Sequence, residues 1–144
     1  MCIRDSYSIW IAEVMLQQTQ LAVALPYWVR WMAAFPTIEA LAAASLDEVR
    51  LQWQGLGYYS RARRLHQAAQ RLVGRSWPRT LEAWMALPGI GRTTAGSILS
   101  SAFNAPLPIL DGNVKRVLAR LTACLLYTSP SPRDATLSRM PSSA

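Results

Sequence analysis

The 144 residues are 51% hydrophobic and 16% charged, a balance that excludes an intrinsically disordered chain and gives one domain enough length for a real core. No apolar run reaches the roughly 18 residues of a membrane span, and the run at 21–29 is broken by Pro26. Fifteen Lys+Arg against eight Asp+Glu give +7, which suits an anionic polymer as partner. Lys115 is the only lysine among those cations.

The two ends read differently from the middle. Residues 1–6 (MCIRDS) are detached from the apolar run that starts at Tyr7. From Leu125 onward serines and three prolines replace any helical or strand period. Both resemble translated adapter or linker sequence, so 1–6 is set aside as a leader and 124–144 as an unstructured tail, a natural flexible tail being the alternative. The domain proper is expected over 7–123. Cys2 and Cys124 support neither a disulfide framework nor a metal site.

A first helix is predicted over 9–20, capped by Ser6 or Ser8. It is apolar nearly all round, which marks a buried helix. Glu13 sits in its middle, with Ile9, Trp10, Leu16 and Gln17 at helical spacing and little charge compensation. A carboxyl on such a face is a candidate proton donor; the alternative is a helix-surface glutamate pointing outward. Gln17, Gln18 and Gln20 end the helix with a high density of amides. A second helix is predicted over 21–34, with Pro26 in or near its first turn and Pro36 stopping it.

Thr37 and Ser45 are the expected N-caps of two short helices, 38–43 and 46–53, with Ser45 and Glu48 at capping-box spacing. Gly55-Leu56-Gly57-Tyr58-Tyr59 then forms a turn feeding a helix over 60–73 that carries Arg61, Arg63, Arg64 and Arg71. Such a run reads first as a solvated face, although tyrosines beside arginines at a turn also suit nucleic acid. His66 reads as an ordinary helix residue. Thr80 caps a helix over 81–86, which delivers the chain into Leu87-Pro88-Gly89-Ile90-Gly91. A helix over 92–103, a two-proline loop over 104–110 and a helix over 111–123 complete the series. No alternating run is long enough for a strand, so the chain is expected to be all-α.

A glycine-bearing turn at a helix N-terminus can hold a phosphate, because free backbone N–H groups and the helix dipole both favour an anion. Asp111, a fixed distance beyond, can act on whatever carries that phosphate. The same pattern also describes a plain αα-hairpin with glycines for close packing.

Four motifs occur in order: Glu13-Val14-Met15-Leu16-Gln17-Gln18-Thr19-Gln20, Gly55-Leu56-Gly57-Tyr58-Tyr59-Ser60-Arg61-Ala62-Arg63, Leu87-Pro88-Gly89-Ile90-Gly91-Arg92 and Ile109-Leu110-Asp111-Gly112-Asn113-Val114-Lys115-Arg116. Together they closely resemble the adenine DNA glycosylases of the MutY type, within the helix-hairpin-helix base-excision glycosylases. The resemblance implies that Glu13 protonates the departing adenine and that Asp111 stabilises positive charge on the deoxyribose. It implies a phosphate held by the hairpin amides at Gly89 and Gly91, with Arg92, Thr93, Asn113 and Lys115 among the DNA-binding positions. Gln18, Thr19, Leu56 and Tyr58 match positions that wedge into the stack and read the opposite 8-oxoguanine.

These residue types suit the chemistry. The adenine must leave the stack to be reached, and breaking an N-glycosidic bond wants one protonated and one ionised carboxyl. Strand-cutting relatives use a lysine just after the hairpin, where this chain has Thr93, so a monofunctional glycosylase is expected. The implied partner is double-stranded DNA with adenine opposite 8-oxoguanine or guanine, bound by a monomer inside the cell (at the nucleoid, if prokaryotic), with no membrane. The fold implied is the six-helix lobe of that family, with the second, iron–sulfur lobe largely missing. Full-length relatives carry a 4Fe-4S cluster on four cysteines, which this sequence does not encode, so no cofactor or metal is expected. The alternatives are a non-enzymatic helix-hairpin-helix DNA-binding module and an endonuclease III-like pyrimidine-lesion glycosylase.

Overall fold

A computed structural model describes residues 3–122; Cys2, Cys124 and the suspected tail at 124–144 lie outside the described residues. Among those described, the chain forms eight helices and no strand: α1 (Ile3–Met15), α2 (Leu21–Ala34), α3 (Ile38–Ala43), α4 (Leu46–Trp53), α5 (Ser60–Leu72), α6 (Leu81–Met85), α7 (Arg92–Phe103) and α8 (Gly112–Leu121). The chain divides into two units, one ending at Ile109 and one beginning at Leu110. The first holds α1–α7 and the core.

That core is built around tryptophan. Trp10, Trp31, Trp53 and Trp84 are fully buried, and truncating any one is expected to cost roughly 3–5 kcal/mol. Trp10, Trp77 and Trp84 form one aromatic cluster, with Trp77 stacked on Trp84 at 5.9 Å. Trp31, Phe35 and Trp53 form the other. Helix α1 packs against α7, which buries Ala95, Gly96, Ser97, Ile98, Leu99 and Ala102. Helix α5 buries Ala62, Leu65, Ala69 and Leu72 against α3 and α4.

The short helices start where local chemistry says they should. Thr37 accepts from the Ala40 N–H, Thr80 from the Ala83 N–H, and Ser45 forms a complete capping box with Glu48. A threonine cap of this kind stabilises a helix by about 1 kcal/mol.

Helix α1 departs from expectation at both ends. It begins at Ile3, so neither Ser6 nor Ser8 caps it, and Ser6 is buried. It ends at Met15 rather than at 20, because Gln18 takes a positive φ of 58° and turns the chain. Pro26 stands inside α2, beyond the first turn. His66 is a buried structural residue whose Nε2 lies 2.9 Å from the Ala44 carbonyl, joining α5 to the link between α3 and α4.

The second unit begins just ahead of α8. No residue of α8 is buried. Val114, Val117, Leu118 and Leu121 are exposed at the spacing of one helical face.

Candidate functional site

The hairpin between α6 and α7 is shaped by Gly89. Its φ of +78° favours glycine, and an added Cβ would lie 3.0 Å from the Arg64 Cβ, so the turn rests directly on the α5 side chain. Gly91 is the N-cap of α7 and offers no side chain to close it. The first intrahelical bond runs from the Ala95 N–H to the Gly91 carbonyl, so the amides of Arg92, Thr93 and Thr94 have no acceptor within the helix. Arg92 and Thr93 are exposed beside them. Three amides without helical acceptors, a helix dipole and a cation are the elements that favour an anion at such an end.

The turn that follows α1 is tied to the hairpin. Gln17 donates its side-chain amide to Thr94 Oγ1 at 3.0 Å and to the Gly89 carbonyl at 3.3 Å. Val14, Gln17, Arg61, Arg64, Leu65, Pro88 and Gly89 line only a small crevice at this junction. Gln18 is exposed, and Thr19 is half-buried.

Arg61 was the residue hidden in the arginine run. Whereas Arg63, Arg64 and Arg71 are exposed, Arg61 is only 7% exposed. Its guanidinium donates to carbonyls at the end of α1, to Thr19 Oγ1 and to the Gly57 carbonyl. Burial pulls its pKa below the ordinary arginine range, with Tyr58 opposing the shift. Position 61 shares a face with Leu65, Ala68, Ala69 and Leu72, and that periodicity was the readable signal.

The turn at 55–58 divides its two expected DNA contacts. Tyr58 is 62% exposed at a φ of +49°, whereas Leu56 is buried in the core at 7%. Of the two, only Tyr58 is open to a partner from outside. A side chain at Gly55 would be strained at φ +96° and would have to displace the Tyr27 hydroxyl.

Glu13 is half-buried on α1, and among the described residues it takes part in no hydrogen bond or ion pair. Its carboxyl is therefore unspent. Asp111, in the second unit, is the N-cap of α8: Oδ1 accepts from the Val114 N–H at 2.8 Å. Its other carboxylate oxygen is uncommitted among the described residues. Asn113 accepts from Arg116 on the same helix, and Lys115 donates its backbone N–H to the Asp111 carbonyl.

No group of three or more His, Cys, Asp or Glu among the described residues converges on a metal position. Residues 3–122 contain no cysteine, so they do not offer the thiolates an iron–sulfur cluster requires. No helix among them is long and apolar enough to cross a membrane.

An all-α fold that presents open amides on a Pro-Gly-x-Gly turn, rigidly braced by neighbouring helices, defines a helix-hairpin-helix protein. The chain belongs to the HhH-GPD superfamily of base excision DNA repair proteins, whose pattern it matches over residues 11–139. It is 52% identical over 124 residues to the adenine DNA glycosylase of Rattus norvegicus, covering 83% of this chain and 24% of that protein. It is 46% identical over 117 residues to the adenine DNA glycosylase of Buchnera aphidicola subsp. Acyrthosiphon pisum, covering 79% of this chain and 33% of that one. The chain thus spans a quarter to a third of the length of these relatives. Among solved structures, a non-covalent endonuclease III–DNA complex superposes with a TM-score of 0.80 at 28% identity, over 94% of this chain and 65% of that one.

Proposed function

We propose that the chain is the hairpin-bearing part of a monofunctional adenine DNA glycosylase, acting on adenine opposite 8-oxoguanine or guanine in duplex DNA. The observation that carries this reading is the bond from Gln17 to the hairpin. It couples a phosphate receptor to the helix that bears Glu13, an acid with no hydrogen bond or ion pair among the described residues. A simple phosphate binder has no use for that acid. The similarity to adenine DNA glycosylases of a mammal and a bacterium supports the choice of base.

In this reading the hairpin amides and Arg92 hold one phosphate, and Tyr58 enters the stack as the adenine leaves it. Gln18 and Thr19 read the opposite base. Glu13 delivers a proton to the adenine ring, the N-glycosidic bond breaks, and the electron pair departs with the neutral base. Asp111 stabilises the cationic sugar through its uncommitted oxygen until water adds to C1′ and releases a proton. A positioned acid of this kind supplies roughly 10²–10⁴ in rate. Asn113 and Lys115, on the first turn of the Asp111 helix, support the phosphate charge.

Thr93 has no amine, so no Schiff base forms beside the hairpin. The product is an abasic site with the strand intact.

The test is single-turnover release of adenine from a duplex with adenine opposite 8-oxoguanine, comparing the chain with Glu13→Gln and Asp111→Asn. Release by the parent chain and its loss in both variants are expected, with no borohydride-trapped adduct. Binding without release, unchanged by either substitution, would replace the enzyme with a DNA-binding module. Trapping through a residue other than Lys115 or the N-terminus would refute the monofunctional assignment.

A further inference from the structure

A buried arginine normally faces a carboxylate, and Arg61 does not. Among the described residues the only ion pair joins Arg50 to Asp47. Arg61 instead faces carbonyl and hydroxyl oxygens of two turns. Nη1 lies 3.2 Å from the Val14 carbonyl and 2.9 Å from that of Met15, with the Gln17 carbonyl beside them. Val14 and Met15 stand in the last turn of α1, at the negative pole of its dipole, and Gln17 just past its end; the Val14 carbonyl also accepts from the Gln17 N–H at 3.3 Å. Nη2 reaches Thr19 Oγ1 at 3.1 Å and the Gly57 carbonyl at 3.3 Å. The guanidinium carbon also lies 5.2 Å from the Trp53 ring centroid and 5.5 Å from that of Tyr58.

One side chain thus ties the turn carrying Gln18 and Thr19 to the turn carrying Tyr58. Both turns contain a non-glycine residue held at positive φ, Gln18 at 58° and Tyr58 at 49°. Left-handed backbone at such residues persists only where the surroundings over-determine it.

We infer that Arg61 is a positioning residue, one that never touches DNA and that fixes the two base-reading turns relative to each other so that Tyr58 is already aimed before the duplex arrives. The inference rests on the reading above that both turns face DNA. Its physical content is pre-organisation: an aromatic side chain aimed in advance does not have to be ordered on binding. Lysine at this position keeps the charge but cannot span both turns with a planar fork.

The experiment uses the whole chain and a duplex carrying 2-aminopurine next to the base opposite adenine, where unstacking raises fluorescence. Arg61→Lys, Thr19→Val and Tyr58→Ala are compared with the parent at saturating protein, each checked for helix content. Arg61→Lys is expected to lower the fluorescence rise by about fivefold, while affinity for undamaged duplex and its salt slope stay within about twofold, since a buried cation releases no counterions. In the Tyr58→Ala background Arg61→Lys should have no further effect. Thr19→Val, which cuts one bond of the tie, should give a partial loss and decides the matter if Arg61→Lys fails to fold. A full fluorescence rise in Arg61→Lys, or in Thr19→Val where Arg61→Lys does not fold, overturns the inference. So does a salt slope reduced by about one, because Arg61 would then be contacting phosphate itself. Undiminished fluorescence in Tyr58→Ala instead refutes the reading of that turn as DNA-facing, which separates the two failures.

Discussion

The Gln17 amide nitrogen lies 3.0 Å from Thr94 Oγ1 and donates to it, across 77 positions of sequence, so the end of the helix bearing Glu13 is pinned to the first turn of α7. Replacing Gln17 with leucine removes this bond and the one to the Gly89 carbonyl. The expected cost is about 1–2 kcal/mol in urea unfolding. Base release should fall by more than the loss in DNA affinity, because the hairpin still binds but no longer sets the position of Glu13.

Gly89 offers a sharper probe of the hairpin. Alanine there meets both a positive φ and the Arg64 stem, and the strained backbone alone costs about 1 kcal/mol. Affinity for undamaged duplex should drop by roughly tenfold at fixed salt, equivalent to about 1.4 kcal/mol. The salt slope should stay put, since no cation is lost. Arg92→Ala should behave in the opposite sense, lowering the slope by about one. Fluorescence anisotropy across a salt series reads both.

Asp111 serves the fold with one oxygen, and the catalytic role proposed for it can be separated from that duty. Asparagine keeps an acceptor for the Val114 N–H, so Asp111→Asn should retain the helix content of α8 while base release falls by roughly 10²–10³-fold. Asp111→Ala should lose the same activity and also about 1 kcal/mol of helix stability. Circular dichroism with single-turnover kinetics distinguishes the two.

The capping box makes a pH prediction. The Ser45 backbone N–H, 2.7 Å from Glu48 Oε2, and then the Ser45 hydroxyl hold the Glu48 carboxyl below the usual carboxylate range. A lowered folded value means the stabilisation is complete above the unfolded value and disappears as pH falls through the folded one. Glu48→Gln should therefore melt lower than the parent at pH 7, and the gap should close in acid. A gap that widens in acid would contradict the assignment.

How much of this was legible in the sequence depended on how far each cause reaches. Thr37, Ser45 and Thr80 act on amides three residues away, so their helices were predicted with the right starts. The hairpin at 87–91 was legible because Gly89 answers a local backbone demand. The burial of Arg61 could be read from its helical face but its partners could not, since Val14 and Met15 on α1 and Gln17 just past its end lie 44 to 47 positions earlier, and only the fold brings them within reach. Leu56 belongs to the same class: its motif suggested a wedge beside Tyr58, but Leu56 points into the core and Tyr58 outward. The end of α1 was overrun because the amides at 17, 18 and 20 fit a helix well, and the turn at Gln18 is imposed by tertiary contacts.

The cap on α8 also gives the proposed chemistry a clock. The Asp111 carboxylate is oriented only while its bond to the Val114 N–H stands, and a first helical turn opens and closes continually by local fraying. Each opening would release the acid from its aim and expose one amide proton to solvent. Deuterium uptake at Val114 would therefore count, in the resting protein and without substrate, the fraction of time the acid is out of position.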